Sequence, residues 1–275
     1  MRLRQRIIRG GSAFSNQQDS ALDPNALLYL YSIGETDPIV IEAVNKVFTG
    51  LKLLGLFSFI KLLYLFPGTT PFKHKFNAVN PYDTNAAFRL DFDNVTHSKL
   101  GLHGNGIDAF ASTHFNPLND LVGHQVTITH STPTDIGSGG ANPYVDYGIQ
   151  DVSGNVLYGF PRHDNRLYSK VFQSSTYLTA LNLNSDGVYH SVRSSSTVSK
   201  VIKDNAVMVS GNLSNFTARP NGELKLLCQH IPSSGGTFYH SARIMNFFSV
   251  IEKDLTDREA FAYSQIIQDY NSKVR

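Results

Sequence analysis

The sequence predicts a mainly β protein of the sandwich or barrel type. Three observations predict it. Charged residues make up only 17% of the 275 positions, well below the roughly 25% usual in globular chains, and Ser, Thr, Asn and Gly fill the deficit. Aromatic residues are plentiful, with 18 Phe and 13 Tyr but no Trp. From about residue 69 onward, apolar residues recur with period two in short runs, and turn residues separate these runs every 8–12 positions or so. Many short strands joined by polar turns have this signature.

Taken in order, residues 1–24 read as an arm. It carries Arg2, Arg4, Arg6 and Arg9 around the apolar pair Ile7 and Ile8, then a polar, Gly-containing run to Asp23-Pro24. Alone it has too little apolar surface to fold. The expectation is a docking arm whose arginines meet an acidic groove on a neighbouring subunit. The net charge of +2 excludes a strongly basic nucleic-acid binder. Less the four arginines it becomes −2, so the excess basic charge sits in the arm. No apolar run follows the basic start, so a secretory signal is not expected. The expected setting is a reducing cytoplasm, or a particle assembled there.

Residues 25–68 read as a helical lead-in. Asp37 can cap a helix and Pro38 suits its first turn. Ile39, Val40, Ala43, Val44, Val47, Phe48 and Leu51 then repeat at helical spacing, and Gly55 ends the run. A second short helix is expected through Leu56, Phe59, Ile60, Leu63 and Tyr64. Lys52 and Lys61 interrupt the most apolar stretch, Val47–Phe66, so a buried helix pair is expected rather than a membrane span.

Residues 69–275 read as the sandwich. Strands are expected at Ala87–Phe92, Gln125–Thr129, Val145–Ile149, Asn155–Phe160, Leu167–Phe172, Val188–Val192, Val198–Ile202, Ala206–Val209, Leu224–Gln229 and Ile244–Val250. Asp204-Asn205 suits a tight hairpin turn. The chain closes with a helix announced by Thr256 and Glu259, the two partners of a capping box.

Chemistry is sparse. The single cysteine, Cys228, excludes an internal disulfide and a cysteine-based metal site. No phosphate loop, zinc-protease or nucleophile-elbow motif occurs. The ten histidines lack metal-site spacing, although His124 and His130 fall on one face of a single expected strand. Asp91 and Asp93 share a strand face and read as a solvated strand end, with calcium or catalysis as the alternative. The E-x-D-x-x-E pattern of jelly-roll glucanases is missing. No catalytic residue, metal ligand or cofactor is therefore assigned, and the chain is expected not to be an enzyme. Two Asn- and Tyr-containing loops can supply the polar fingers and aromatic surface that sugars need. They contribute Asn142 and Tyr144 from one loop and Asn165 and Arg166 from the other.

Two blocks carry a resemblance. The first is the run from Lys73 to Leu90, KHKFNAVNPYDTNAAFRL, behind the lead-in that ends at Leu65-Phe66-Pro67-Gly68. The second is Phe247 to Glu259, FFSVIEKDLTDRE, and the helix after it. Both resemble tailed-bacteriophage structural proteins with a concanavalin A-like (laminin-G-like) lectin/glucanase jelly-roll domain. The sequence departs from that pattern at Val250–Lys253, which lacks both glycines of the family's turn. The resemblance covers roughly residues 25–275. It implies a jelly-roll sandwich and a virion part, such as a tail appendage or fibre, a head fibre or a capsid decoration. It also implies other virion proteins and further copies of the chain as partners. Two further readings stand beside it: a lectin-like module gripping host-surface glycan, and a glycan-degrading enzyme.

Overall fold

A computed structural model describes residues 22–139, 142–173, 176–212 and 218–275. The expected docking residues Arg2, Arg4, Arg6, Ile7, Ile8 and Arg9 lie outside the described residues.

Asp23 caps the first helix, α1 (Pro24–Ser32), by accepting the Asn25 and Ala26 backbone N–H groups. It is also paired with Lys52 at 2.7 Å. This helix lies in the expected helical lead-in, where the sequence reading singled out no cap at Asp23. Helix α2 (Pro38–Leu53) forms as its pattern requires. Asp37 accepts from the Ile39 N–H, and Val40, Ala43, Val44, Val47, Phe48 and Leu51 are buried.

The expected second helix is corrected. Only a 3-10 turn spans Phe57–Phe59, and Ile60–Tyr64 is strand β1. Leu62 and Tyr64 enter one core while Ile60 and Leu63 enter another. Both faces of this strand are thus apolar, and a run apolar on both faces has no period to separate strand from helix.

The remaining elements follow in chain order. Short helix α3 (Pro71–His74) precedes β2 (Asp91–Asp93), β3 (Thr96–Ser98), β4 (Gly101–His103) and β5 (Phe110–Ser112). Helix α4 (Pro117–Asp120) leads into β6 (Val126–Thr132), β7 (Tyr147–Gln150), β8 (Val156–His163), β9 (Arg166–Gln173) and β10 (Leu178–Leu181). Next come β11 (Gly187–Arg193), β12 (Val198–Lys203), β13 (Ala206–Asn212), β14 (Lys225–Leu226) and β15 (Gln229–Ile231). Then follow β16 (Gly236–Phe238), β17 (Ile244–Met245), β18 (Phe247–Ile251) and the closing helix α5 (Asp257–Val274).

One sheet runs β1-β18-β6-β11-β12-β13, and the larger runs β10-β9-β8-β7-β14-β5-β2 with β15 and β16 at its side. A small sheet β17-β4-β3 adjoins them. The fold class is as expected: a mainly β sandwich with helices at both ends. The six-stranded sheet is covered on both faces. Val188, Ile202, Phe247 and Ile251 meet α1, α2 and α5 in one core. Val126, Ile128, Phe248 and Val250 meet Tyr147, Ile149, Leu157 and Val171 of the larger sheet in the other. The lead-in and the sandwich therefore share one core.

Three expected strands are corrected. Ile244–Val250 divides at Asn246 into β17, in the small sheet, and β18, in the six-stranded sheet. At Ala87–Phe92 a 3-10 turn covers Asn85–Ala87, Phe88 adopts a left-handed φ of +58°, and the strand is only β2. At Leu224–Gln229 the left-handed Leu227, φ +64°, divides the run into β14 and β15. His124 precedes β6, so it does not share a strand face with His130. The hairpin at Asp204 and the Thr256–Glu259 capping box are both present. Buried Asn77 ties the first resembling block to the sheet. Its Oδ1 accepts the Leu63 N–H at 2.9 Å, and its amide donates to the Lys61 and Ala87 carbonyls. Burial pushes the Cys228 thiol up to about 12. Among the described residues no helix is long and apolar enough to cross a membrane.

Candidate functional site

The outer face of the larger sheet, opposite the core between the sheets, carries aromatic side chains, of which Phe160 is buried and Tyr158 and Tyr168 are half-buried. On β8, Leu157 enters the core between the sheets, so its neighbours Tyr158 and Phe160 stand on the opposite face. On β9, Leu167 and Val171 are buried while Tyr168 and Lys170 stand outward. The rings make a continuous run. Tyr158 stacks with Phe160 at 5.5 Å between centroids, Phe160 with Tyr168 at 4.9 Å, and Tyr168 meets Tyr177 at 5.1 Å.

A cavity of about 310 Å³ opens beside this run, lined by Pro143, Val145, Gln150, Val156, Tyr158, Phe160, Lys170, Gln229 and Tyr239. Gly148 keeps its floor low: a Cβ there would lie 3.2 Å from both Gln229 Cα and Tyr158 Cβ. The Gln229 amide donates to Gln150 Oε1 at 3.1 Å, so two carboxamides stand side by side in the wall. Lys170 Nζ lies 5.9 Å from the Tyr158 ring centroid and 5.7 Å from that of Tyr177. Burial draws its ammonium below the ordinary lysine range. Burial likewise raises the Tyr158 hydroxyl, with Tyr177, Tyr168 and Tyr239 adding to the effect. Aromatic walls with a few placed polar groups are the usual make-up of a small-molecule site.

The sequence-predicted residues stand at one end of this face. Asn142 is exposed and precedes Pro143 of the cavity wall. The Tyr144 N–H donates to Ser138 Oγ at 3.0 Å, and the Tyr144 ring lies 5.8 Å from the Arg243 guanidinium. Asn165 and Arg166 are exposed at the β8–β9 turn, where Asp164 and Asn165 take positive φ. The Asp164 N–H donates to the Ser138 carbonyl at 3.0 Å, and Arg166 Nε donates to Thr179 Oγ1 at 3.0 Å. Ser138 thus joins the two predicted loops. His163 connects them to the ring run, 6.2 Å from Phe160 and 6.0 Å from Tyr168.

The rings of Tyr158, Phe160, Tyr168, Tyr177 and Tyr239 were not predicted. In strands, Tyr and Phe read as core. The signal was the shared parity of Tyr158 and Phe160, alternating with Leu157 and Gly159.

Buried Arg243 holds the rim together. Its Nη1 donates to Asp146 Oδ1 at 2.8 Å and to the Tyr144 carbonyl at 2.9 Å. Nε donates to the Ile136 carbonyl and Nη2 to the Arg162 carbonyl, both at 2.6 Å. Ser241 adds a hydroxyl to Asp146 at 2.8 Å. One guanidinium therefore fixes three segments that border the site. His130 lies beneath, its Nε2 3.6 Å from Asp146 Oδ2 and its ring stacked on Tyr189. Burial pulls this imidazole down to about 4.

A second, shallower depression of about 530 Å³ includes Phe72, Lys75, Arg89, Asp91, Phe92 and His97. Its charges are mutually engaged. Arg89 meets Asp83 at 3.2 Å and Asp91 at 3.4 Å, and His114 meets Asp91 at 2.8 Å.

No protein-family model matches the sequence, and no curated protein is similar to it. Solved structures do match in fold. A mutant of Trypanosoma rangeli sialidase displaying trans-sialidase activity aligns with a TM-score of 0.52 at 10% identity, over 84% of this chain and 39% of that one. The binding domain of botulinum neurotoxin serotype D/C VPI 5993 aligns with a TM-score of 0.51 at 11% identity, over 78% and 53%. The binding domain of botulinum neurotoxin DC in complex with SialylT aligns with a TM-score of 0.50 at 10% identity, over 78% and 52%. The chain spans between about a quarter and a half of the length of the solved structures it matches. At these identities the likeness is one of fold: a lectin-like β-sandwich. It corrects one expectation. The chain was expected not to be an enzyme, partly because the glucanase pattern is missing, yet structures of the same sandwich type include a sialidase with trans-sialidase activity. That expectation does not stand.

Proposed function

We propose that the chain binds carbohydrate on the outer face of its larger sheet, as a lectin-like module displayed on a tailed-bacteriophage particle. The observation that carries the binding reading is the four-ring run Tyr158–Phe160–Tyr168–Tyr177 beside a cavity with two carboxamides and one ammonium. A pyranose has an apolar C–H face and an equatorial belt of hydroxyls. The rings match the first, and Gln150, Gln229 and the rim residues Asn142 and Asn165 match the second.

A glycan array followed by titration calorimetry tests this. Binding that drops at least tenfold in Tyr168→Ala, with the fold intact by circular dichroism, supports the reading. An array without a single hit argues against it. Release of free sugar or reducing ends during the same incubations supports the second reading, glycan cleavage, which the sialidase-type fold favours.

The virion role rests on the two resembling blocks and on the arm. In this reading Arg2, Arg4, Arg6 and Arg9 meet an acidic groove on another virion protein. Ile7 and Ile8 add an apolar anchor, and several copies assemble on the particle. Its glycan ligand lies on the host surface. Helix α1 opens at its cap Asp23, so deleting residues 1–20 removes none of the described elements and should leave a folded protein that no longer joins the particle. Normal incorporation of the truncated chain would refute the docking role.

A further inference from the structure

We infer that the rim of the site carries a serine esterase centre, Ser138–His163–Asp164, which removes O-acyl groups from a bound saccharide. The chemistry rests on three side chains outside the sugar surface. Only the substrate class rests on the carbohydrate reading.

Ser138 Oγ lies 3.3 Å from His163 Nδ1, and His163 Nε2 lies 3.4 Å from Asp164 Oδ2. An ionised carboxylate only accepts, so it takes the Nε2–H and leaves Nδ1 with the lone pair. The Tyr144 N–H donates to Oγ at 3.0 Å, which leaves the hydroxyl its own proton to give. The other acceptor within reach, the Arg162 carbonyl, is farther away at 3.5 Å. Nucleophile, base and orienting acid therefore stand in the roles a serine hydrolase needs, and such a triad is recognised by roles rather than by chain position. Contacts of this kind are often longer before substrate binds.

The backbone is cut to fit these groups. Gly137 and Gly139 flank Ser138. A Cβ on Gly139 would stand 3.0 Å from Asp164 Oδ1, and one on Gly137 would stand 2.4 Å from Arg162 Nε. The imidazole is edge-on to Phe160 and also meets Tyr168, so the base is seated against the ring run that a sugar would cover.

With an O-acyl group beside Ser138, Oγ bonds to the acyl carbon while its proton passes to His163 Nδ1. The bond from that carbon to the sugar oxygen breaks, and the sugar oxygen takes the proton. Water, deprotonated by the same nitrogen, then releases the carboxylic acid and restores the hydroxyl. The Tyr144 N–H stands beside the oxygen that carries negative charge between these steps.

Fluorophosphonate labelling of the full chain, read by peptide mass spectrometry, tests the nucleophile without altering a residue. The label should sit on Ser138. Acetate release from an O-acetylated xylo-oligosaccharide, with 4-nitrophenyl acetate beside it, tests the reaction, and no reducing ends should appear with the acetate. Ser138→Ala should bring both rates to background, and His163→Gln should lower them about a hundredfold or more. Asp164 is 62% exposed and screened by solvent. Asp164→Asn, which suits the positive φ of that turn, should lower kcat about tenfold and leave KM unchanged, because Asp164 acts through His163. Turnover undiminished in Ser138→Ala, or a label elsewhere, overturns the inference. So does a folded chain that binds saccharide but neither deacylates it nor takes the label, and the carbohydrate reading then stands. Ser138-dependent turnover of 4-nitrophenyl acetate by a chain that neither binds nor deacylates a saccharide overturns the carbohydrate reading and the substrate class, and leaves the serine chemistry.

Discussion

Arg243 and Asp146, 97 positions apart in sequence, form a buried ion pair: Nη1 to Oδ1 is 2.8 Å, and the two side chains are 0% and 3% exposed. The other Arg243 donors go to the carbonyls of Ile136, Tyr144 and Arg162, so the pair closes the rim of the candidate site over the end of the larger sheet.

Removing either partner strands the other. Arg243→Met leaves a buried carboxylate with the Ser241 hydroxyl but no counter-charge and takes one donor from each of three carbonyls, and Asp146→Asn leaves a buried guanidinium without its counter-charge. Losing one member of a buried pair costs about 3–5 kcal/mol. Urea denaturation should show a loss of that order for each variant. The double variant should lose less than the sum of the two, because the stranded charge is gone. Strict additivity would refute the coupling.

Three histidines are held neutral inside the fold. Burial pulls His190 down to about 3 and His130 to about 4. Burial, with His97 at 3.0 Å from Nδ1 to Nδ1, pulls His74 down to about 4. In the unfolded chain each titrates near 6.5. Between about pH 6.5 and 4 the unfolded state therefore binds more protons, and stability falls as pH falls through that window. Above it these groups contribute no slope. Each adds up to about 1.4 kcal/mol per pH unit within it. The carboxylates that their lysine partners hold low add to the loss only from about pH 5 downward. Urea midpoints at pH 7.5, 6.5, 5.5 and 4.5 should be level at first and then drop steeply. His190→Gln, which still reaches Thr129 and Ser264 in place of the imidazole, should flatten the drop. A midpoint unchanged from pH 7 to pH 5 would contradict this account.

The closing helix depends on its first turn. Thr256 Oγ1 accepts the Glu259 N–H at 3.2 Å, and Glu259 Oε2 accepts the Thr256 N–H at 2.9 Å. Tyr263, Ile267 and Tyr270 of the same helix cover the six-stranded sheet. Thr256→Ala should cost about 1 kcal/mol, read as a shift in the urea midpoint with an unchanged slope. Thr256→Ser should recover most of it.

Local rules were readable wherever one side chain served one backbone. Asp37-Pro38, Thr256 with Glu259, and the turn at Asp204 with φ +52° each state their structure within a few positions. The strand runs from Gln125 to Val209 were readable for the same reason, since alternation is local, while Leu224–Gln229 and Ile244–Val250 each hid a break. Strand β1 was hidden because Leu62 and Tyr64 serve one core and Ile60 and Leu63 the other, which erases alternation. The candidate site was half readable. The loops bearing Asn142, Tyr144, Asn165 and Arg166 do meet at one rim, through Ser138. The rings and Lys170 were hidden because outward Tyr and Phe on a strand look like core until the covering layer is known. Arg243 was hidden because its partner lies across the chain.

Gly148 separates the candidate site from the fold that carries it. Its position on β7 faces the cavity floor, and its Cβ would stand 3.2 Å from Tyr158 Cβ and from Gln229 Cα. Its φ is not in the left-handed region, so a β-branched residue suits the strand backbone there. Gly148→Val raises the floor by an isopropyl group, but only by pressing on Tyr158 and on the Gln229 backbone. Overpacking should cost about 1–3 kcal/mol in the urea midpoint, and saccharide binding by the protein that remains folded should fall by tenfold or more. Gly159 is the control, one strand over on the inward face. A Cβ there meets Tyr147 Oη at 2.4 Å, within the chain Tyr147–Ser191–Ser169 that links the two sheets. Gly159→Ala should cost about 1–3 kcal/mol through overpacking and affect binding only through that loss. If Gly148→Val bound saccharide like the unaltered chain, the ligand surface would have to lie elsewhere on the sandwich.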